Sequence, residues 1–269
     1  MPLVTVVICS YNGERYISET MDSVLTQTYV NMEVVVVDDG SSDKTVSIIE
    51  KYMEFDTRIR LFIRENRGLA ASRNFAFQQA RGEWVATIDQ DDFCYPERLS
   101  KQIELADRFP TASLIFSDTS IIDERGRYLS SRFSSYDLPE SFIKKGVAGE
   151  FLITKGCFIG SAYLIKLTTI NQIGKLDELL RYACDYEYFI RVGLVCDFAF
   201  TRDELVAWRS HPNQESVTNY NRFVEYRSTL LRNFWLDGLL FSTRFTIIIK
   251  LVRSFGSEAY RKIWHWSKF

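Results

Sequence analysis

The chain has 269 residues, 46% hydrophobic and 25% charged, an ordinary globular balance that buries a core and excludes a disordered or fibrous chain. Its formal net charge of -2 leaves no basic footprint for nucleic acid. The five cysteines form no Cys-x-x-Cys pair and are odd in number, which argues against zinc and a disulfide framework and suits a reducing, cytoplasmic compartment.

Leu3 to Cys9 is a β-branched run that predicts a buried strand, with no basic region before it of the kind a signal peptide carries. Ser10-Tyr11-Asn12-Gly13 ends it. Ile17, Met21 and Val24 then recur at helical spacing until Gln27. Glu33 to Val37 predicts a second strand, ending in Asp38-Asp39-Gly40-Ser41-Ser42-Asp43. Ser42 or Asp43 is a good cap for a helix with its stripe at Val46, Ile49 and Tyr52. Arg60 to Arg64 is a third strand, Asn66-Arg67-Gly68 a turn, and Leu69 to Ala80 an Ala-rich helix stopped at Arg81-Gly82. Trp84 to Ile88 is the fourth strand. This alternation predicts right-handed crossovers and a parallel sheet. Tyr11-Asn12, Asp38-Asp39 and Asp89 to Asp92 all follow strand C-termini, so they should lie along one edge, where open α/β sheets bind ligands.

The fourth strand runs straight into Asp89, Asp91 and Asp92. Clustered acids repel one another unless something positive neutralises them, and the usual neutraliser is Mg²⁺ or Mn²⁺, bound through hard oxygen ligands. The alternative is a solvated acidic turn ahead of the helix that begins near Pro96. These residues alone support either.

Beyond the acids, Pro96 to Phe109 predicts a helix and Ser113 to Ser117 a strand. Ile121 to Leu129 predicts a hairpin turning at Glu124-Arg125-Gly126. Residues 130–150 read as a loop with a short helix. Phe158 to Ile165 reads as a strand, Leu167 to Ile173 as a helix ended by Gly174, and Tyr186 to Val192 as a helix beginning at Cys184-Asp185. Phe198 to Phe200 and Leu205 to Trp208 read as two short strands, and the pattern from Val217 onward is helical and aromatic.

Four stretches together resemble the inverting family-2 glycosyltransferases: Thr5-Val-Val-Ile-Cys-Ser-Tyr11-Asn12, Val-Val-Asp38-Asp39-Gly-Ser-Ser-Asp43, Asn66-Arg-Gly-Leu-Ala-Ala-Ser-Arg73-Asn74, and Asp89-Gln-Asp91-Asp92. Each is weak alone. In this order, spaced by β/α alternation, they are specific. The resemblance implies a GT-A fold: α/β, Rossmann-like, with a mostly parallel central sheet flanked by helices and here a helical C-terminal extension. It implies a nucleotide-sugar half at residues 1–112, an acceptor and catalytic-base half of the same domain at 113–216, and the extension at 217–269.

The resemblance also assigns roles. Thr5, Tyr11, Asn12, Asp39, Arg73, Asp89 and Asp91 would bind the nucleotide-diphosphate donor. Tyr11 would stack on or edge the nucleobase, Asp39 would accept the N–H of a uracil-like base, and Arg73 would reach ribose or diphosphate. Asp91 and Asp92 would divide the ribose hydroxyl and a Mn²⁺ or Mg²⁺ ion between them, with Asp92 first for the metal and Asp89 shaping the site. Cys184-Asp185-Tyr186-Glu187 resembles the segment carrying the general base, which makes Asp185 the base; the bland alternative is a helix cap. Trp208-Arg209-Ser210-His211 resembles a late Arg-x-His segment, so His211 would ligate the metal or contact the diphosphate. Gly160 and Ser161 would line the acceptor side.

The Gln-x-x-Arg-Trp segment of processive synthases is missing, and no stretch of 18 apolar residues predicts a spanning helix, so transfer of one sugar is expected. The donor would be UDP-linked and the acceptor a glycan or lipid-linked glycan of a cell-surface polysaccharide pathway. Residues 234–253, followed by Arg261, Lys262, Trp264, Trp266 and Lys268, mix apolar and basic groups. That suits either a helix at the inner membrane face or a helical subdomain packing on the catalytic core or on a second subunit. Two other readings compete. A sugar nucleotidyltransferase wants a Gly-rich basic loop after the first strand, which Ser10-Tyr11-Asn12-Gly13 is not. A catalytically silent glycan- or nucleotide-binding module would not need Asp91, Asp92 and Asp185.

Overall fold

The computed structural model describes residues 1–136, 138, 141–156, 159–212, 221–234, 243–244 and 246–250. Four parallel strands make one half of the sheet: β1 (Val4–Ser10), β2 (Met32–Asp38), β3 (Ile59–Ile63) and β4 (Trp84–Asp89), in spatial order β3-β2-β1-β4. Between them run α1 (Ile17–Leu25), α2 (Thr45–Phe55) and α3 (Leu69–Gln79). Each crossover returns the chain to the same end, so Ser10 pairs with Asp38 and Cys9 with Asp89 at one edge.

The second half is mixed. After β5 (Phe93–Cys94) and α4 (Arg98–Arg108) come β6 (Ala112–Ile122), β7 (Tyr128–Ser131), β8 (Phe142–Ile143), α5 (Val147–Lys155), β9 (Tyr163–Lys166), α6 (Leu167–Ile173), α7 (Cys184–Val195) and β10 (Asp197–Arg209). β9 is antiparallel to both β4 and β6 and joins the halves into one sheet, β3-β2-β1-β4-β9-β6-β10-β5. β10 is one strand where two were predicted. Its register shifts around Thr201 to Val206, so the polar stretch that interrupts the apolar pattern is absorbed as a bulge while pairing with β6 continues. The expected strand from Phe158 begins at Tyr163, and Phe158 itself lies outside the described residues.

Strand alternation places the core on both faces. Val4, Val6 and Ile8 of β1 pack with Ile17 and Met21 of α1, Ile49 of α2 and Leu99 of α4. Val7, one step out of phase, packs on the opposite face with Phe77 of α3, Leu152 of α5 and Phe189 of α7. A last helix, α8 (Asn221–Phe234), and the helical residues 246–250 join this second layer through Leu230 and Ile247. No helix among the described residues is long and apolar enough to cross a membrane. The basic and Trp-containing segment 261–268 lies outside them.

Candidate active site

The loops after β1, β2 and β4 lock together at the C-terminal edge. Asp38 accepts from Ser10 Oγ (3.0 Å), Ser41 N (2.8 Å) and Ser41 Oγ (2.6 Å). Asn12 takes a left-handed backbone, φ +47°, which asparagine tolerates better than most side chains. Its N–H donates to Ser41 Oγ (2.9 Å), and its Oδ1 accepts from Ser42 N (2.9 Å). Gln90 clamps the Tyr11 peptide from the β4 side: Tyr11 N donates to its Oε1 (2.9 Å), and its Nε2 donates to Tyr11 O (3.0 Å). The Tyr11 side chain stands at the rim, 48% exposed. Gly13 makes room for the clamp, since a Cβ there would lie 2.1 Å from Gln90 Oε1.

Asp39 is buried and fastens the next loop. It accepts from Arg67 N (3.0 Å), Gly68 N (2.8 Å) and Ser72 Oγ (2.7 Å), which orders the entry to α3. A carboxylate has about four acceptor positions. A base N–H at Asp39 would therefore have to use the one still open.

Thr5, Arg73, Asp92 and Ser161 all have partners within the fold. Thr5 sits at the amino end of β1, away from the acidic edge, and is fully buried. Its hydroxyl donates to Glu33 Oε1 (2.7 Å) and accepts from Gly82 N (2.9 Å), which latches β1 to β2 and to the turn before β4. Arg73, 3% exposed, does not offer itself to phosphate: one arm donates to Asp89 Oδ1 (3.0 Å) and the other to Asp185. The helix face that carries Arg73 is turned inward, so its guanidinium is spent on carboxylates of the chain itself. Asp92, 1% exposed, turns away from the cleft. Its Oδ2 accepts from Ser161 Oγ (3.0 Å) and its Oδ1 from Arg209 N (3.0 Å), so it joins two loops here. Ser161 is thereby spent on Asp92. Gly160, at φ +59°, stays at the wall.

Asp89 and Asp91 remain open to the cleft. The Asp89 side chain is 38% exposed but lies on the cleft floor, where surrounding protein still penalises its charge. That burial, with Asp91 and Asp185 as like charges and Arg73 opposing them, pushes its pKa up to about 6. Asp91 Oδ2 lies 2.8 Å from His211 Nε2. Arg209 holds this corner: Nε donates to Asp91 O (3.1 Å), one terminal nitrogen to Glu19 Oε2 (2.6 Å), and the guanidinium stacks over Tyr16 at 4.7 Å.

Two further arginines escaped the sequence reading. Arg98, fully buried, donates to the carbonyls of Thr87 (2.8 Å), Ser161 (3.0 Å) and Tyr163 (3.1 Å), which ties the cleft floor to the Gly160–Ser161 wall. Arg132 lies over the Trp208 ring at 5.3 Å, and its guanidinium carbon would meet a Cβ on Gly160 at 3.5 Å. Its buried Nε has no hydrogen-bond partner among the described residues, and its charge acts on Asp89. No motif marks either residue.

Residues 5–166 match the family described as glycosyl transferase family 2, more than half of the chain. The chain belongs to glycosyltransferase family 2. It is 34% identical over 241 residues to an uncharacterised glycosyltransferase of Methanocaldococcus jannaschii, covering 87% of this chain and 80% of that one. It is 30% identical to another from Rickettsia typhi, covering 84% of this chain and 70% of the relative. A Rickettsia felis relative is longer, and the match covers 36% of it. Among solved structures, residues 1–349 of Staphylococcus aureus TarS in complex with UDP-GlcNAc superpose with a TM-score of 0.71 at 21% identity, over 94% of this chain and 72% of that one. The mannosyltransferase PcManGT of Pyrobaculum calidifontis, in complex with GDP-Man and Mn²⁺, gives 0.64 at 19%, over 93% and 69%. At those identities the structures speak for the GT-A fold.

In this family-2 chain, no three His, Cys, Asp or Glu side chains converge as a metal cage among the described residues. Asp91 and His211 nevertheless offer one hard oxygen and one imidazole at the cleft. That donor set would suit a divalent cation such as Mn²⁺ or Mg²⁺ if oxygen ligands from elsewhere completed its shell.

Proposed function

We propose that the chain is an inverting, metal-dependent glycosyltransferase that moves one sugar from a nucleoside diphosphate donor, UDP-linked by preference, onto a hydroxyl of a glycan or lipid-linked glycan in cell-surface polysaccharide synthesis. The observation that carries this reading is Arg73, whose guanidinium joins Asp89 of the donor-side strand to Asp185 at the start of α7. A carboxylate 35% exposed is thus held at a fixed offset from the donor acids, as a general base must be.

Tyr11 at the rim supports the nucleobase, with Asn12, Asp38 and Gln90 fixing its loop. Asp89 and Asp91 face the ribose and the diphosphate, and Arg132 supplies positive charge on the opposite wall. Asp91 and His211 would hold the divalent cation, which would supply positive charge against the departing diphosphate. Asp185 takes the proton from the acceptor hydroxyl. The new oxygen–carbon bond forms on the face of the anomeric carbon opposite the breaking bond to the diphosphate, so configuration inverts.

The test uses purified protein, Mn²⁺, and a panel of UDP- and GDP-sugars read first by thermal shift and then by release of nucleoside diphosphate. A ligand that binds the native state raises its stability. Asp185→Asn is expected to keep the nucleotide-dependent shift and to lose turnover. Full turnover in that variant places the base elsewhere. Binding without turnover by the parent protein, with every donor and with glycan acceptors, favours a silent binding module instead.

A further inference from the structure

α7 carries Asp185 in its first turn, yet its own N-cap residue is Ala183, which has no side chain to satisfy the free amides there. The three peptides that lead into the helix are held by another helix. Glu225 of α8 accepts through Oε1 from Arg181 N (2.9 Å), and through Oε2 from Tyr182 N (2.6 Å) and Ala183 N (2.9 Å). The next residues are Cys184 and Asp185. We propose that Glu225 is a positioning residue for Asp185, so that α8 belongs to the catalytic machinery and is more than an appendage. The proposal rests on Asp185 being the base.

Two neighbours support it. The connection between Gly174 and Ala183 is held from one side by α3, where Asn74 Nδ2 donates to Leu176 O (3.0 Å) and Leu176 N donates to Asn74 Oδ1 (2.8 Å). It is held from the other side by Glu225. A negative charge at the start of α7 also meets the positive end of the helix dipole. α8 has its own means of docking. Leu230 is buried, Tyr226 stacks on Tyr186 with centroids 5.1 Å apart, and Arg232 pairs with Asp177 at 2.6 Å. Removing the Glu225 carboxylate should therefore leave α8 in place and free only the peptides ahead of Asp185. The base would then drift on its Arg73 tether.

Glu225→Ala and Glu225→Gln are compared with the parent by steady-state release of nucleoside diphosphate from UDP-GlcNAc or GDP-mannose with Mn²⁺, whichever is turned over. The thermal shift given by UDP or GDP is measured alongside. The expected result for Glu225→Ala is a kcat lowered about tenfold to a hundredfold, the scale set by small misplacements of a reacting group, with donor KM and nucleotide shift unchanged. Glu225→Gln should lose less, because its amide oxygen still accepts from Tyr182 and Ala183. In an Asp185→Asn background, Glu225→Ala should cost nothing more. The proposal is overturned if Glu225→Ala turns over at the parent rate while Asp185→Asn is inactive. It is equally overturned if both Glu225 variants lose kcat, KM and nucleotide shift together. Parent-rate turnover by Asp185→Asn instead overturns the base assignment on which it rests.

Discussion

Asp92 shows how one buried carboxylate differs from its neighbours. Burial, with Asp91 and Asp89 as like charges, holds its pKa well above the usual carboxylate range. An acid raised in the fold binds its proton more tightly than in the unfolded chain, so stability falls as pH rises above the unfolded value near 4. Asp92→Asn removes that slope and keeps an acceptor for Arg209 N and a donor for Ser161. In metal-free protein the variant should gain on the parent as pH rises from about 4 towards neutrality, read by urea midpoints; parallel pH profiles would refute the upward shift of this buried carboxyl. Asp92→Ala leaves both partners unsatisfied and should cost roughly 2–4 kcal/mol. Asp91→Ala and His211→Ala should leave the fold intact and abolish the Mn²⁺-dependent part of nucleotide binding, measured by calorimetry with and without chelator. If Asp92→Asn abolishes that component while Asp91→Ala keeps it, the metal assignment is reversed.

The same logic runs through the elements that carry these residues. The β1 loop depends on Gln90 for its shape and on Gly13 for its room. A Cβ at Gly13 meets the end of a flexible side chain, so Gly13→Ala should swing Gln90 out at little cost to the fold. UDP affinity should fall by up to about tenfold, equivalent to ~1.4 kcal/mol, while the urea midpoint barely moves. At the other end of β1, a Cβ on Gly82 would lie 2.5 Å from Thr5 N, which is backbone and cannot give. Gly82→Ala should therefore cost roughly 2–4 kcal/mol of stability and leave nucleotide affinity per folded molecule unchanged. Opposite outcomes at the two glycines would mean that the functional end of β1 has been misassigned.

On the scale of the whole molecule, the halves expected at 1–112 and 113–216 share one sheet through β9, and they share one site through Arg73, Arg98 and Arg209. α8 is built into the second layer through Leu230. Deleting residues 221–269 should therefore destabilise the catalytic domain, whereas deleting 251–269 should spare donor turnover. If the basic, Trp-bearing end lies on a membrane, the shorter deletion should also lose co-sedimentation with vesicles containing anionic lipid. Unchanged sedimentation would direct that segment to a protein partner.

The sequence by itself determined the parallel half of the fold, its acidic edge and the family, because these are written locally. β-branched runs make strands, 3.6-residue stripes make helices, and polar clusters at strand ends must share an edge once the crossovers are right-handed. The Leu167–Ile173 helix and its Gly174 stop follow from the same local rules. The direction in which each polar side chain points was decided only by tertiary structure. Asp91 and Asp92 are adjacent, yet one meets His211 and the other Ser161 and Arg209, because the partners arrive from β10 and from the segment before β9, 69 to 120 residues away. Arg73 is a donor ligand by resemblance and a buried bridge between Asp89 and Asp185 in the fold. Glu225 carries no motif at all. A carboxylate's role is set by the charges and donors that surround it, and those are brought together only when the chain closes.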